Sequence, residues 1–207
     1  MPHVIEPAAT GRAKCRGCGE KIAAGTLRFG ESLPNPFAEG ETLHWFHLEC
    51  GAYKRPESFL GALAAQAEPV PDAEALRGEA QRGLDHPRLA RVAAAERDPS
   101  GRAACRHCRQ KIEKGAWRIG LVFWEDGRFS PAGSLHAACC RGYFETAEIV
   151  PRLVRFTPGL TGADVSELQL QLAKDSPPAA TTSTDTAADK ATGPETNTTP
   201  GKDSEGH

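Results

Sequence analysis

Apolar and polar residues alternate over two short stretches, Leu-Arg-Phe at residues 27–29 and Trp-Arg-Ile at residues 117–119. A period of two places the apolar side chains on one face of a strand and the arginine on the other. A further strand is indicated at residues 42–46, and the Asp-Gly pair at residues 126–127 is typical of a hairpin turn. We therefore expect two small α+β modules, each with about three antiparallel strands and a short helix.

Helical patterns follow each of these modules. Residues 56–67 and 72–96 are rich in Ala, Leu, Glu and Arg, and an amphipathic helix is indicated at residues 165–174. From residue 175 onward the pattern is lost, because the sequence has no aromatic residue and Ala is its only aliphatic one. Such a segment cannot bury enough apolar surface to offset the entropy of ordering. We predict a disordered, acidic Ser/Thr/Pro/Ala tail over residues 175–207.

The two modules are copies of one another. Residues 11–30 align with residues 101–120 without a gap, and eleven of the twenty positions are identical. Duplication of an ancestral segment explains this similarity far better than chance.

Each copy contains a Cys-x2-Cys pair followed by a His-x2-Cys pair, the ligand pattern of a four-coordinate zinc site. The predicted ligands are Cys15, Cys18, His47 and Cys50 in the first copy, and Cys105, Cys108, His136 and Cys139 in the second. Three thiolates and one imidazole fill a tetrahedral shell and leave no position for a catalytic water. We therefore predict two structural zinc ions, with Cys140 as a spare thiol.

Charge and composition narrow the classes of function. The chain carries a net charge of −2, but residues 101–144 carry +5, residues 11–54 carry +1, and the predicted tail carries −4. Six of the seven cysteines fall into the two ligand sets, which suits a reducing compartment. No secretory signal or membrane-spanning run is evident, so we expect an intracellular protein, in the nucleoid or cytoplasm of a bacterium or the nucleus of a eukaryote. With no nucleotide loop and no nucleophile and base pair, we expect neither an enzyme nor a small-molecule substrate.

The first copy resembles the PARP-type zinc finger, which occurs in tandem at the front of poly(ADP-ribose) polymerases. The resemblance rests on Gly-Arg-Ala-x-Cys-x2-Cys, Lys-Ile, Gly, Leu-Arg and Trp-Phe-His-x2-Cys, in that order. The gaps of 28 residues before His47 and 27 before His136 separate both copies from C2H2, RING and LIM modules. We expect no polymerase or ligase domain after the second copy.

The resemblance implies binding to DNA ends, nicks and gaps without sequence preference. In that family one arginine lies three residues before the first ligand and another ten residues after the second, and both grip phosphates. The matching positions here are Arg12, Arg28, Arg102 and Arg118. The alternative for these four residues is an ordinary solvated charge on the protein surface.

The resemblance also implies an apolar loop that stacks on the base pair exposed at a break. The candidates are Phe37 and Leu43 in the first copy, and Trp124 and Phe129 in the second. For the three aromatic residues ordinary packing is an equal alternative, because aromatic side chains beside short strands are usually buried.

We divide the chain on these grounds into six segments. They are a flexible N-terminus (1–10), a first PARP-type finger (11–55), a helical linker (56–99), a second finger (100–145), a helical extension (146–174) and the disordered tail (175–207). The favoured hypothesis is a zinc-dependent protein that binds DNA breaks or distorted duplex in damage sensing or repair. The alternatives are a zinc-stabilised protein-interaction adaptor and a regulatory subunit that recruits a separate repair enzyme.

Overall fold

The computed structural model describes residues 2–35 and 39–174, which form two zinc-finger modules, each built on a three-stranded antiparallel sheet. The first module contains β1 (Val4–Pro7), β2 (Leu27–Pro34), β3 (Glu41–His47), α1 (Leu48–Lys54), α2 (Pro56–Ala65) and α3 (Ala73–Asp85). The second contains β4 (Val92–Arg97), β5 (Trp117–Glu125), β6 (Arg128–His136), α4 (Cys140–Phe144), α5 (Val150–Phe156) and α6 (Gly162–Leu172). The predicted fold class of two small α+β modules is confirmed. The predicted tail lies outside the described residues.

Strand β1 adds an edge to the first sheet that the sequence analysis does not anticipate. Ile5 pairs with Phe29 of β2 and is buried, so the prediction of a flexible N-terminus is wrong for Val4–Pro7. The reason is tertiary, because this short run becomes a strand only where β2 offers an unpaired edge. Strands β2 and β3 pair in turn, with Phe29 opposite Phe46.

The core of the first module lies between this sheet and its helices. Phe29 and Phe46 are fully buried with ring centroids 5.8 Å apart, and Phe59 of α2 meets Phe29 edge-on at 5.5 Å. Helix α2 begins with Pro56 at a position where its missing amide hydrogen costs nothing. The helices after the first ligand set therefore pack on the zinc module, as the sequence predicts.

The segment before the second module contains a strand where the sequence predicts helix. Helix α3 ends at Asp85, a short 3-10 helix follows at Pro87–Arg91, and Val92–Arg97 forms β4. The helical prediction for residues 72–96 is therefore wrong over its last part. Alanine has a high helix propensity, but Val92 and Ala95 are buried in the sheet by pairing with β5, and this tertiary contact overrides the local preference.

Strands β5 and β6 form the hairpin that the Asp-Gly pair predicts. Glu125 pairs with Arg128, and both Asp126 and Gly127 have positive φ, at 49° and 75°, as the turn requires. The hairpin tip packs on the first module, where a Cβ on Gly127 would collide with the ring of His44. Glycine therefore suits position 127 because it tolerates the positive φ and because it has no side chain to collide with His44.

The two modules contact one another over a buried polar junction. Arg152 of α5 is fully buried and donates hydrogen bonds to the backbone oxygens of Tyr53 at 2.7 Å and Glu79 at 3.0 Å. Lys54, also buried, donates to the backbone oxygen of Ala90 at 3.1 Å. These contacts join helices of the two modules and fix them relative to each other. Within the described residues, no helix has the length and apolar character needed to cross a bilayer.

Candidate zinc centres and nucleic-acid interface

The first predicted ligand set converges at one point beside the first sheet. Donor atoms of Cys15, Cys18, His47 and Cys50 all lie within 4.8 Å of one another. A tight turn between the two leading cysteines is closed by the Gly19 amide, which donates to the Cys15 carbonyl at 2.8 Å. His47 ends β3 and Cys50 lies in α1, so the cluster joins the turn to the strand and the helix.

The second set repeats this geometry. Donor atoms of Cys105, Cys108, His136 and Cys139 lie within the same 4.8 Å limit. The backbone amide of His136 points at the sulfur of Cys105 at 3.4 Å, as that of His47 points at Cys15, also at 3.4 Å. Arg109 occupies the position of Gly19 and also has positive φ, so the turn is preserved without its glycine. The duplication seen in the sequence is therefore also a duplication of the site.

The electrostatics of the first cluster favour a bound cation. Hydrogen bonds from Cys18 and Cys50 lower the pKa of Cys15 to about 3, so this sulfur is a thiolate at neutral pH. The same contacts raise the pKa of Cys50, because its proton is shared with sulfurs that already carry negative charge. A divalent ion relieves this repulsion when it replaces the shared protons.

The donor set fits zinc in both modules. Three sulfurs and one imidazole nitrogen match the soft, tetrahedral preference of Zn²⁺, and all four positions are filled by protein. The predicted cofactor is confirmed in this sense, since two Cys3His clusters suited to zinc are present. When bound, zinc at such a site holds the chain together and offers no position for a reacting water.

Arg155 is a contributor to the first centre that the sequence analysis does not identify. It lies on α5 of the second module, yet its Nη2 is 3.4 Å from the Cys18 sulfur and 2.9 Å from Nδ1 of His47. Glu20 and Glu49 hold the guanidinium in place, each with an oxygen at 3.1 Å. A positive group here offsets the net negative charge that three thiolates and one zinc ion share. No local signal marks this residue, because it is 137 positions from Cys18.

Cys140 stands apart from the second cluster. Its sulfur faces the backbone oxygen of His136 at 3.5 Å, and burial raises the pKa of its thiol. Cys139 supplies the donor atom in the cluster, as the His-x2-Cys spacing predicts.

The four predicted phosphate-binding arginines fall into two pairs. Arg28 and Arg118 lie on strands and are ion-paired to carboxylates of the adjacent strand, Arg28 to Glu6 at 2.7 Å and Arg118 to Glu96 at 2.7 Å. Arg118 also meets Asp98 at 2.6 Å, and Arg28 lies over the ring of Trp45 at 3.4 Å.

Arg12 and Arg102 differ from that pair. Both are exposed, and among the described residues neither side chain has an ion-pair partner. The duplicated positions are therefore equivalent in environment as well as in sequence.

The predicted stacking residues have separate positions. Phe37 lies outside the described residues. Leu43 is half-buried on β3 of the first module. Trp124 and Phe129 face each other across the β5–β6 hairpin at 4.5 Å, and both pack against the core of the first module. The Trp124 ring lies 6.0 Å from that of Phe46, so these two aromatic residues contribute to the contact between modules.

Comparison with known proteins finds a family model that matches the first module. The family described as "Poly(ADP-ribose) polymerase and DNA-Ligase Zn-finger region" matches residues 6–86, which run from β1 through α3. The match thus begins within β1 and includes α2 and α3, the two helices that follow the ligands. The second module shares the ligand pattern and geometry of the first through the internal repeat.

Several curated proteins are similar to the chain. A "Poly [ADP-ribose] polymerase" of Sarcophaga peregrina is 29% identical over 136 residues, which are 58% of this chain and 14% of that protein. "Poly [ADP-ribose] polymerase 1" of Gallus gallus is 32% identical over 133 residues, 57% of this chain and 13% of that protein. The "Polynucleotide 3'-phosphatase ZDP" of Arabidopsis thaliana is 26% identical over 165 residues, 67% of this chain and 24% of that protein. The similarity therefore covers only a small part of each of these relatives. On these grounds, residues 6–86 of the protein are similar to the zinc-finger region of poly(ADP-ribose) polymerases and DNA ligases.

Proposed function

We propose that the protein is a zinc-dependent, non-enzymatic DNA-binding protein that recognises ends, nicks or distorted duplex without sequence preference. The observation that carries this proposal is the pair of equivalent, unpaired cations, Arg12 and Arg102, each three residues before a zinc ligand. Because the backbone of each arginine is held beside a metal-clamped turn, only the freedom of the side chain is lost when the guanidinium meets a phosphate. Arginine suits this task because its planar group can chelate two phosphate oxygens.

Arg28 and Arg118 support the same role in a second way. Their carboxylate partners on the adjacent strands fix the direction of each guanidinium. Arg28 contacts Glu6 through one nitrogen, which leaves further N–H donors for a phosphate oxygen, whereas all three nitrogens of Arg118 contact Glu96 or Asp98. Contacts of this kind position a protein on DNA without reading its sequence.

Preference for breaks requires a surface that stacks on an exposed base pair. We propose Leu43 and Phe37 of the first module for this role, since a flat apolar contact with a terminal base pair is independent of sequence. The packing of Trp124 and Phe129 on the first module favours a structural role for those two residues.

The absence of catalysis and the intracellular location are part of the proposal. Both clusters have four protein donors and so leave no position at which zinc could activate water. Six ligand thiols are also best preserved in a reducing compartment. A role in damage sensing or repair, with a repair enzyme recruited in trans, is consistent with such a DNA-binding protein.

The test compares one DNA sequence as a closed circle, a nicked circle, a gapped duplex and a blunt linear duplex at two salt concentrations. We expect tighter binding to the three interrupted forms and a steep loss of affinity with salt. The double variant Arg12→Ala/Arg102→Ala should bind more weakly and still contain two zinc ions. The matched control Arg77→Ala/Arg141→Ala removes the same charge from two exposed helical positions and should bind like the parent.

Two results would count against the proposal. Equal affinity for the closed circle and its linear form would remove the break preference, and a double variant that binds as tightly as the parent would remove the phosphate contacts. Binding to a protein partner with no DNA binding at all would favour the adaptor.

A further inference from the structure

A groove lies at the junction of the two modules, on the side of the first zinc turn. It encloses about 470 Å³ and is bounded by the turn at Lys14 and Arg16, by β3, and by Arg128 at the tip of the second module's hairpin. We call it the junction groove. Its complete lining is Ala13, Lys14, Cys15, Arg16, Leu43, Trp45, Arg128 and Phe129.

All the charged side chains that line the junction groove are positive. Lys14, Arg16 and Arg128 are exposed, and no carboxylate is among the lining residues. Among the described residues none of these three side chains has an ion-pair partner, whereas Arg28 and Arg118 are both paired. Three like charges around one groove repel each other, and an anion bound between them relieves that repulsion.

The backbone segments that carry the cations are anchored by hydrogen bonds on both sides of the groove. The amide of Arg16 donates to the backbone oxygen of Trp45 at 2.8 Å, which fastens the zinc turn to β3. On the opposite wall, His44 hydrogen-bonds the backbone oxygen of Gly127 at 3.1 Å, and Arg128 is the next residue. The groove is therefore formed by two anchored backbones and does not depend on long side chains that happen to meet.

The second module differs from the first at the positions that line the junction groove. Ala104 stands at the position of Lys14, and Ser134 at the position of Trp45. Arg106 matches Arg16, but its Nε donates to the backbone oxygen of Ala132 at 3.0 Å. The junction groove is thus formed by the first module together with Arg128 and Phe129 of the second module's hairpin.

We propose that the junction groove binds the phosphate backbone of a DNA strand, with Lys14, Arg16 and Arg128 around one phosphodiester. The proposal rests on the DNA-binding function proposed above and names a further contact that needs both modules at once. The volume is within the range of about 300–1,000 Å³ seen in sites for small organic ligands, enough for one nucleotide unit of a strand. Trp45 would lie beside the sugar of that unit.

The experiment measures the affinity for nicked duplex at several salt concentrations for the parent, Arg128→Gln and Lys14→Gln/Arg128→Gln. Loss of one phosphate contact should weaken binding about 3- to 10-fold and reduce the slope of log K against log salt by about 1. The double variant should lose more on both measures, and Arg128→Lys, which keeps the charge, should retain most of the affinity. Arg141→Gln makes the same charge change elsewhere on the exposed surface of the second module and should change affinity less than about 2-fold.

The possible outcomes distinguish the junction-groove proposal from the DNA-binding function on which it rests. Arg128→Gln could have the same affinity and salt slope as Arg141→Gln while Arg12→Ala/Arg102→Ala binds DNA weakly. The proposal that the junction groove binds DNA would then be wrong, and the proposed DNA-binding function would be supported. If the parent binds no DNA, both are wrong. Zinc content of two and an unchanged melting temperature in each variant would confirm that the comparison is between folded proteins.

Discussion

At the scale of single residues, Arg155 shows how one side chain joins the two halves of the molecule. It is part of the second module, and its guanidinium lies against the sulfur of Cys18 in the first zinc cluster. Groups that surround metal ligands commonly change metal affinity by one to two orders of magnitude, because they stabilise the charged form of the ligands. Among the described residues, no arginine contacts the sulfurs of the second cluster in this way, and Nε2 of His136 lies 3.0 Å from the backbone oxygen of Lys111.

We expect Arg155→Ala to release zinc from the first cluster about 10-fold faster under a chelator, since the thiolates lose their nearby positive charge. The measurement is release into a chromogenic chelator, with the ring signals of His47 and His136 in NMR spectra assigning each phase to a cluster. Arg155→Lys should fall between parent and alanine variant. Arg97→Ala, which breaks an exposed ion pair with Glu167, is the matched control and should release zinc as the parent does.

Faster release from both clusters alike would contradict this prediction, because it would indicate general destabilisation. Unchanged release from the first cluster would show that the contact with Cys18 does not stabilise the bound metal.

Among the secondary-structure elements, the β5–β6 hairpin both completes the second sheet and contacts the first module, and its Asp-Gly turn predicts only the hairpin itself. Its tip leaves the second sheet and packs on β3 of the first, where Trp124 meets the rings of His44 and Phe46, each at 6.0 Å. Phe123, its neighbour in β5, points to the other face and is 45% exposed. Adjacent residues of one strand therefore differ in environment because successive side chains point in opposite directions.

We expect Trp124→Ala to lower the free energy of unfolding by about 2 kcal/mol, less than the 3–5 kcal/mol typical of a fully buried aromatic residue, because the ring is half-buried. Phe123→Ala should cost less than about 1 kcal/mol, because an exposed ring loses little burial. Denaturant unfolding of the zinc-saturated proteins measures both values. If Trp124 were instead a free base-stacking residue, its removal would weaken DNA binding and leave stability unchanged.

At the scale of the whole molecule, two small cores are stabilised by metal clusters and by a shared polar junction. Each sheet has only three strands, and a module of this size buries too little apolar surface to be secure by burial alone. The buried side chains of Lys54 and Arg152 add hydrogen bonds that exist only when the modules are together. The stability of either module should therefore depend on its zinc and on its neighbour.

We expect removal of both zinc ions to unfold most of the described chain, because a structural zinc ion contributes on the order of 10 kcal/mol to folding. The measurement is far-ultraviolet circular dichroism and thermal unfolding before and after chelation, with zinc content determined by elemental analysis. Restoring two equivalents of zinc under reducing conditions should restore both signals. A fully demetallated protein that keeps its spectrum and its cooperative transition would contradict the structural role of the metal.

The sequence by itself determined the parts of this protein that depend on short-range chemistry. The Cys-x2-Cys and His-x2-Cys spacings specify a metal site because only residues that can reach one ion satisfy them. Alternation at Leu27–Pro34 and the Asp-Gly turn predict strands because side-chain direction and backbone twist are local properties. The segment-by-segment domain boundaries and the roles of Arg12, Arg28, Arg102 and Arg118 in binding stay predictions.

Only the tertiary structure decided which distant segments meet. Val4–Pro7 and Val92–Arg97 become strands because a neighbouring edge accepts their backbone hydrogen bonds, and no pattern within either segment shows that edge. The contact of Arg155 with the first cluster, the position of Trp124 on the first module and the junction groove all require the two modules to be packed together. These features follow from the packing free energy of surfaces far apart in the chain, which local spacing and periodicity do not contain.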